Sequence, residues 1–90
     1  MDLSIIIVSY NARADLERCL DSLAAAPPRA SQEVIVVDNG SSDGSAEAAR
    51  RRTGVHVIDA GGNLGFARAN NIGIRASHGI SAYFSVFGST

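Results

Sequence analysis

The sequence predicts an α/β fold, a parallel sheet whose strands alternate with helices along the chain. Three observations carry that reading. Segments 3–8 and 33–37 are compact, largely apolar and β-branched, the mark of strands covered on both faces. Between them Leu16, Leu20 and Leu23 recur at intervals of four and three, which lays one buried stripe along a helix. Segments rich in Gly, Ser, Asn and Asp then punctuate the chain at 38–45 and 61–65. They divide it into β-α-β-α-β-α-β, an order that implies right-handed crossovers.

The elements follow in order. Residues 3–8 form the first strand and 12–26 the first helix. Asn11 is placed to cap that helix, and Pro27-Pro28 to end it, because proline lacks the N–H that would continue the ladder. Residues 33–37 form the second strand, and a polar turn leads into a short helix at 46–53. Arg50, Arg51 and Arg52 fall in its last turn, where their charge suits the negative end of the helix dipole, and they read as a solvated face. Residues 55–58 are the third strand. The third helix covers 66–77 and stops at Gly79, with His78 placed to meet its last carbonyls. Residues 80–87 have the composition of a fourth strand. The 90 residues make one small domain.

Composition excludes several classes. A net charge of −1 gives none of the basic footprint of a nucleic-acid binder. All eight basic residues are Arg. That absence of lysine excludes a phosphate-loop ATPase, whose lysine must reach the β- and γ-phosphates, and any Schiff-base lysine mechanism. Cys19 is the single cysteine, so neither a disulfide framework nor a four-ligand zinc site forms within the chain. Set among Leu16, Leu20 and Leu23, it reads as a small buried hydrophobe. The apolar run 5–8 is too short for a signal-peptide core or a membrane span. A cytoplasmic location is expected, with a peripheral place at the inner face of the membrane open to a longer parent protein. His56, inside the third strand, reads as structural, and neither histidine has a partner pattern for metal or triad chemistry.

In an open α/β sheet, ligands bind outside the carboxyl ends of the strands. The residues leaving those ends are Ser9, Tyr10 and Asn11, then Asp38 and Asn39, then Asp59 through Asn63. Segment 9–14 contains no glycine, so the dinucleotide fingerprint is missing and NAD or FAD binding is not expected. A carboxylate at Asp38 can accept hydrogen bonds from a ribose hydroxyl or a pyrimidine N–H. It can equally cap the turn that follows. Position alone leaves both roles open.

Segments 4–11, 36–45 and 62–73, with Asp38-Asn39-Gly40 and Asn63-Leu64-Gly65-Phe66 at their centres, together resemble family 2 glycosyltransferases of the GT-A fold. With Asn70-Asn71, the third segment is similar to bacterial rhamnosyltransferases that build polysaccharide or lipid-linked glycans. The resemblance covers residues 3–79. It implies a Rossmann-like parallel sheet with alternating helices, the N-terminal half of a GT-A domain. It also implies an enzyme that takes a nucleotide-sugar donor, dTDP-rhamnose or a UDP-sugar, and serves a glycan or lipid-linked acceptor. Ser9 and Tyr10, with Asn11 beside them, would line the base and ribose pocket, and Asp38 would hold the nucleoside. Asn63, Gly65 and Arg68 would border the nucleotide and its diphosphate, Arg68 being the phosphate partner because its rigid fork matches phosphate oxygens. Asp43 matches the motif, but capping the second helix is its expected task. Close helix–sheet packing explains Asn70 and Gly73 as well as a ligand does.

The resemblance further implies Mg²⁺ or Mn²⁺ held by an Asp-rich motif at the end of the strand after residue 79. Residues 80–90 contain no such motif, and no acidic residue follows Asp59. No metal ligand and no catalytic residue is assigned. Without a general base, worth ~10²–10⁴-fold in rate, the chain alone is expected to be inactive in transfer. Its atypical tail is expected to stem from a frameshift, a premature stop or a gene-boundary error. A half sheet would also expose an unpaired edge and favour self-association. Two alternatives stand beside the incomplete transferase: a nucleotide-binding module that does no chemistry, and an interaction fragment that binds no nucleotide.

Overall fold

The computed structural model describes residues 3–25, 32–77 and 80–87, with side chains described for 4–25 and 32–77. The roles expected of Pro27, Pro28, His78 and Gly79 lie outside the described residues. Seven elements follow in order: β1 (Leu3–Tyr10), α1 (Arg13–Ala25), β2 (Gln32–Asp38), α2 (Ser45–Arg50), β3 (Val55–Asp59), α3 (Phe66–Ala76) and β4 (Ile80–Phe87). All strand pairs are parallel, in the order β3-β2-β1-β4. The chain steps outward from β1 to β3 and then returns to the other side of β1. Strand order therefore reverses between β1 and β4, where open α/β sheets place their ligands.

The continuous apolar runs are explained by a sheet covered on both faces. Ile5, Ile7 and Val36 pack with Leu16 and Leu20 of α1 and Ala49 of α2. Ile6, Val8, Ile35 and Val37 pack on the opposite face with Ala69 of α3. Ile6, Ile7 and Val8 are each 0% exposed, and full burial of such side chains contributes about 1.5–3 kcal/mol apiece. Helix α3 sits very close to the sheet at Gly73, where a Cβ would lie 2.4 Å from Ile6 Cγ2 and 3.3 Å from Val37 Cγ2. Close packing thus accounts for Gly73.

Several local expectations are corrected. Asn11 does not cap α1; it occupies the left-handed region (φ 46°), which Asn tolerates better than most residues. Ala12 O accepts the first helical bond from Leu16 N (2.8 Å), and the Arg13 N–H goes to Asp43 Oδ2 (3.0 Å). Helix α2 stops at Arg50, short of residue 53. Arg52 N bonds Ala49 O (3.1 Å), a tightened three-residue closure, and Gly54 (φ 80°) turns the chain into β3. Arg50 and Arg51 are indeed exposed. Arg52 is not merely solvated: it pairs with Asp21 (2.7 Å) and donates to Glu17 O (3.4 Å), tying α2 to α1. Cys19 is half-buried rather than buried and packs against the α1-side core; desolvation raises its thiol pKa. His56 is exposed on the edge strand β3.

Candidate functional site

β1 and β2 run past their apolar stretches because the ladder continues through polar residues, pairing Ser9 with Asp38 and Asp38 with Asp59. In parallel strands such partners share a face. Ser9 and Asp38 thus lie side by side at the carboxyl edge, next to the switch point, on the face that carries α1 and α2. Ser9 is 0% and Asp38 3% exposed. Asp38 Oδ2 accepts the Ser41 N–H (3.1 Å), so Asp38 does hold its following turn. Its Oδ1 and the Ser9 Oγ have no hydrogen-bond partner. Unsatisfied buried atoms of this kind cost about 1–3 kcal/mol each.

Three loops meet around that pair. The loop after β1 is bonded to the loop after β2 through Asn11: its N–H donates to Ser41 Oγ (2.9 Å), and its Oδ1 accepts the Ser42 N–H (2.7 Å). Asp43 completes this link. It accepts from Arg13 N at the start of α1 and from Ser45 N and Ser45 Oγ at the start of α2. Partial burial alone would raise its pKa, but these hydrogen bonds outweigh burial and hold the carboxyl below its ordinary range. Asp43 therefore serves both helices, where capping of the second alone was expected.

The loop after β3 is held by Asn39, a residue the sequence reading located at the edge but gave no role. Asn39 is 0% exposed. Its backbone N–H donates to Ser9 O (2.8 Å), its Nδ2 to Asn63 Oδ1 (3.1 Å), and its Oδ1 accepts the Leu64 N–H (2.9 Å). Asn63 Oδ1 also accepts from Gly65 N (3.1 Å). At Gly40 (φ 90°) an added Cβ would lie 2.8 Å from Gly62 C, so the second and third loops are in close contact.

The expected site residues divide accordingly. Ser9, Asn11 and Asp38 converge directly, with Tyr10 half-buried at the end of β1. Asn63 and Gly65 join them through Asn39. Arg68 stands apart on α3, exposed, in a shallow groove of about 240 Å³ with Leu64, Asn71, Ile72 and Arg75; among the described residues it forms no ion pair. Nor do the described residues bring three His, Cys, Asp or Glu side chains together to hold a metal. Asp59 Oδ1 accepts the Gly61 N–H (2.8 Å), and with Asp38 it makes at most two carboxylates at this edge. This donor set does not fit a Mg²⁺ or Mn²⁺ site.

Comparison with known proteins gives a consistent picture. A low-salt glycan biosynthesis hexosyltransferase of Haloferax volcanii is 38% identical over 76 residues, covering 84% of this chain and 23% of its own length. An N-acetylglucosaminyl-diphospho-decaprenol L-rhamnosyltransferase of Mycobacterium tuberculosis is 40% identical over 70 residues, 77% of this chain and 22% of that protein. A mannosyltransferase of Pyrobaculum calidifontis, solved in complex with GDP-Man and Mn²⁺, superposes with a TM-score of 0.77 at 29% identity, over 84% of this chain and 24% of that one. The chain thus spans about a quarter of the length of these relatives. Its parallel α/β sheet with alternating helices is the GT-A architecture expected from the sequence. The profile of glycosyl transferase family 2 matches residues 4–87, through the end of β4, and the chain belongs to that family.

Proposed function

We propose that the chain is the donor-binding part of a glycosyltransferase that takes dTDP-rhamnose or a UDP-sugar for a polysaccharide or lipid-linked acceptor. One observation carries this reading: Ser9 Oγ and Asp38 Oδ1, neighbours at the switch point, are buried and unpartnered. A nucleoside supplies the N–H and O–H donors that such oxygens lack. Both atoms are covered, so a ligand reaches them only after a local rearrangement at the carboxyl edge. The mycobacterial relative is an L-rhamnosyltransferase, which supports a rhamnose donor, and its decaprenol-linked substrate supports a lipid-linked acceptor. No helix among the described residues is long and apolar enough to cross a membrane. We assign the protein to the cytoplasm, peripheral to the inner membrane face where such an acceptor is reached.

Calorimetric titration with UDP, dTDP and ADP tests the reading. Saturable binding of a pyrimidine nucleotide is expected, weakened roughly tenfold to a hundredfold by Asp38→Ala, as befits a lost charge-assisted hydrogen bond. A folded chain that binds none of the three refutes the donor role. Because no carboxylate follows Asp59, the 90-residue chain by itself is expected to bind without turning over. Efficient transfer from dTDP-rhamnose to a lipid-linked acceptor would overturn that second expectation.

A further inference from the structure

The three hydrogen bonds of Asn39 reach both the strand that carries Ser9 and the loop that carries Asn63. Asp59 also reaches that loop from outside, but only at its first residue, through the Gly61 N–H (2.8 Å); Asn39 holds its far half, at Asn63 and Leu64. Beyond the Gly61 bond the loop contains Gly62 and Gly65, both with positive φ, whose backbone entropy when not held is large. An Asn is specifically suited to the position. Its Oδ1 accepts the Leu64 N–H while its Nδ2 donates to Asn63 Oδ1, and Asn63 in turn accepts the Gly65 N–H immediately before α3. Asp lacks the donor, and Ala lacks both groups. Being fully buried at the end of β2, one residue from Asp38, Asn39 sets the loop relative to the nucleoside end of the site.

We propose that Asn39 is a positioning residue that fixes the 61–65 loop and the start of α3 for the diphosphate of the donor, and so controls discrimination between a nucleoside and its diphosphate. This rests on the donor-binding reading above. A loop already held in place meets the diphosphate without an ordering cost at binding. A loosened loop leaves nucleoside recognition at Asp38 in place and removes the gain that the diphosphate brings.

The test is an NMR titration of the 90-residue chain and its Asn39→Ala and Asn39→Asp variants with uridine and with UDP, together with amide hydrogen exchange at Leu64 and Gly65. For Asn39→Ala, faster exchange at both amides and about a tenfold loss of UDP affinity are expected, with uridine affinity within about twofold of the parent. Asn39→Asp, nearly isosteric, keeps the acceptor for Leu64. Asn63 must flip to donate to it and abandons Gly65, so only the Gly65 amide loses protection. A general loss of stability would instead raise exchange throughout the sheet and weaken uridine and UDP alike, which would overturn the positioning role. So would unchanged selectivity in both variants. If the parent chain binds neither ligand, the donor reading falls and takes the selectivity claim with it. If it binds both equally while Asn39 still protects Leu64, the positioning claim alone is refuted.

Discussion

Asp43 receives backbone N–H groups from the first residues of two helices, Arg13 of α1 and Ser45 of α2. Each is a donor that the helix itself cannot satisfy, and a carboxylate also suits the positive end of both dipoles. Asp43→Ala is therefore expected to lower stability at neutral pH by about 1–2 kcal/mol, an ordinary capping loss counted at two ends. The pH dependence follows from the direction of its shift. Its folded-state pKa lies below the unfolded value, so the stabilisation is present above the unfolded pKa and is lost as pH falls through the folded one. Thermal melts of parent and variant should differ at pH 7 and converge below about pH 4. An equal gap at pH 7 and pH 3 would show that the carboxylate's charge contributes nothing. The sequence placed Asp43 in a capping turn, but its bond to Arg13 spans 30 residues, and no local motif signals such a partner. The same holds for Asn39, whose partners lie 24 and 25 residues away.

At the scale of elements, the contact between α3 and the sheet makes the sharpest demand on sequence. Gly73 faces Ile6, which is fully buried and β-branched, so its methyl cannot swing away from an added Cβ. Gly73→Ala would gain up to about 1 kcal/mol of helix propensity, against an overpacking cost of about 1–3 kcal/mol. With 2.4 Å of clearance, the steric cost wins, and the melting temperature is expected to fall. In a double-mutant cycle with Ile6→Ala, which removes the opposing methyl, the two losses should be less than additive; strict additivity would place the strain elsewhere. The elements themselves were legible because each rests on a near-neighbour pattern: apolar runs for β1 and β2, the leucine stripe for α1. Their ends were less so. β1 and β2 continue into Ser9, Tyr10 and Asp38 because neighbouring strands supply the ladder, a tertiary contribution that apolar patterning does not contain. Arg52 left its expected solvated row for the same reason, since Asp21 sits across the gap between two helices.

At the scale of the whole molecule, the sheet order among the described residues leaves two edges, β3 and β4. They are not equivalent. β3 has five residues, among them His56 and Asp59, and both of these are exposed. β4 has eight residues, none charged and none Pro, and pairs with β1 along its full length on one side. An edge of that length without a charge or proline to block it is a template for another strand. We therefore expect the 90-residue chain to self-associate through β4, with antiparallel pairing about a two-fold axis the simplest closed arrangement. Sedimentation velocity over a wide concentration range should show a reversible shift from monomer to dimer. Ala82→Lys, which introduces one charge into the middle of that edge, should move the shift to higher concentration. A parent chain that stays monomeric at every concentration would refute the association. A dimer indifferent to the lysine would move the interface away from β4, most plainly to the α3 face, where Leu64, Phe66 and Ile74 are the exposed large apolar side chains among the described residues.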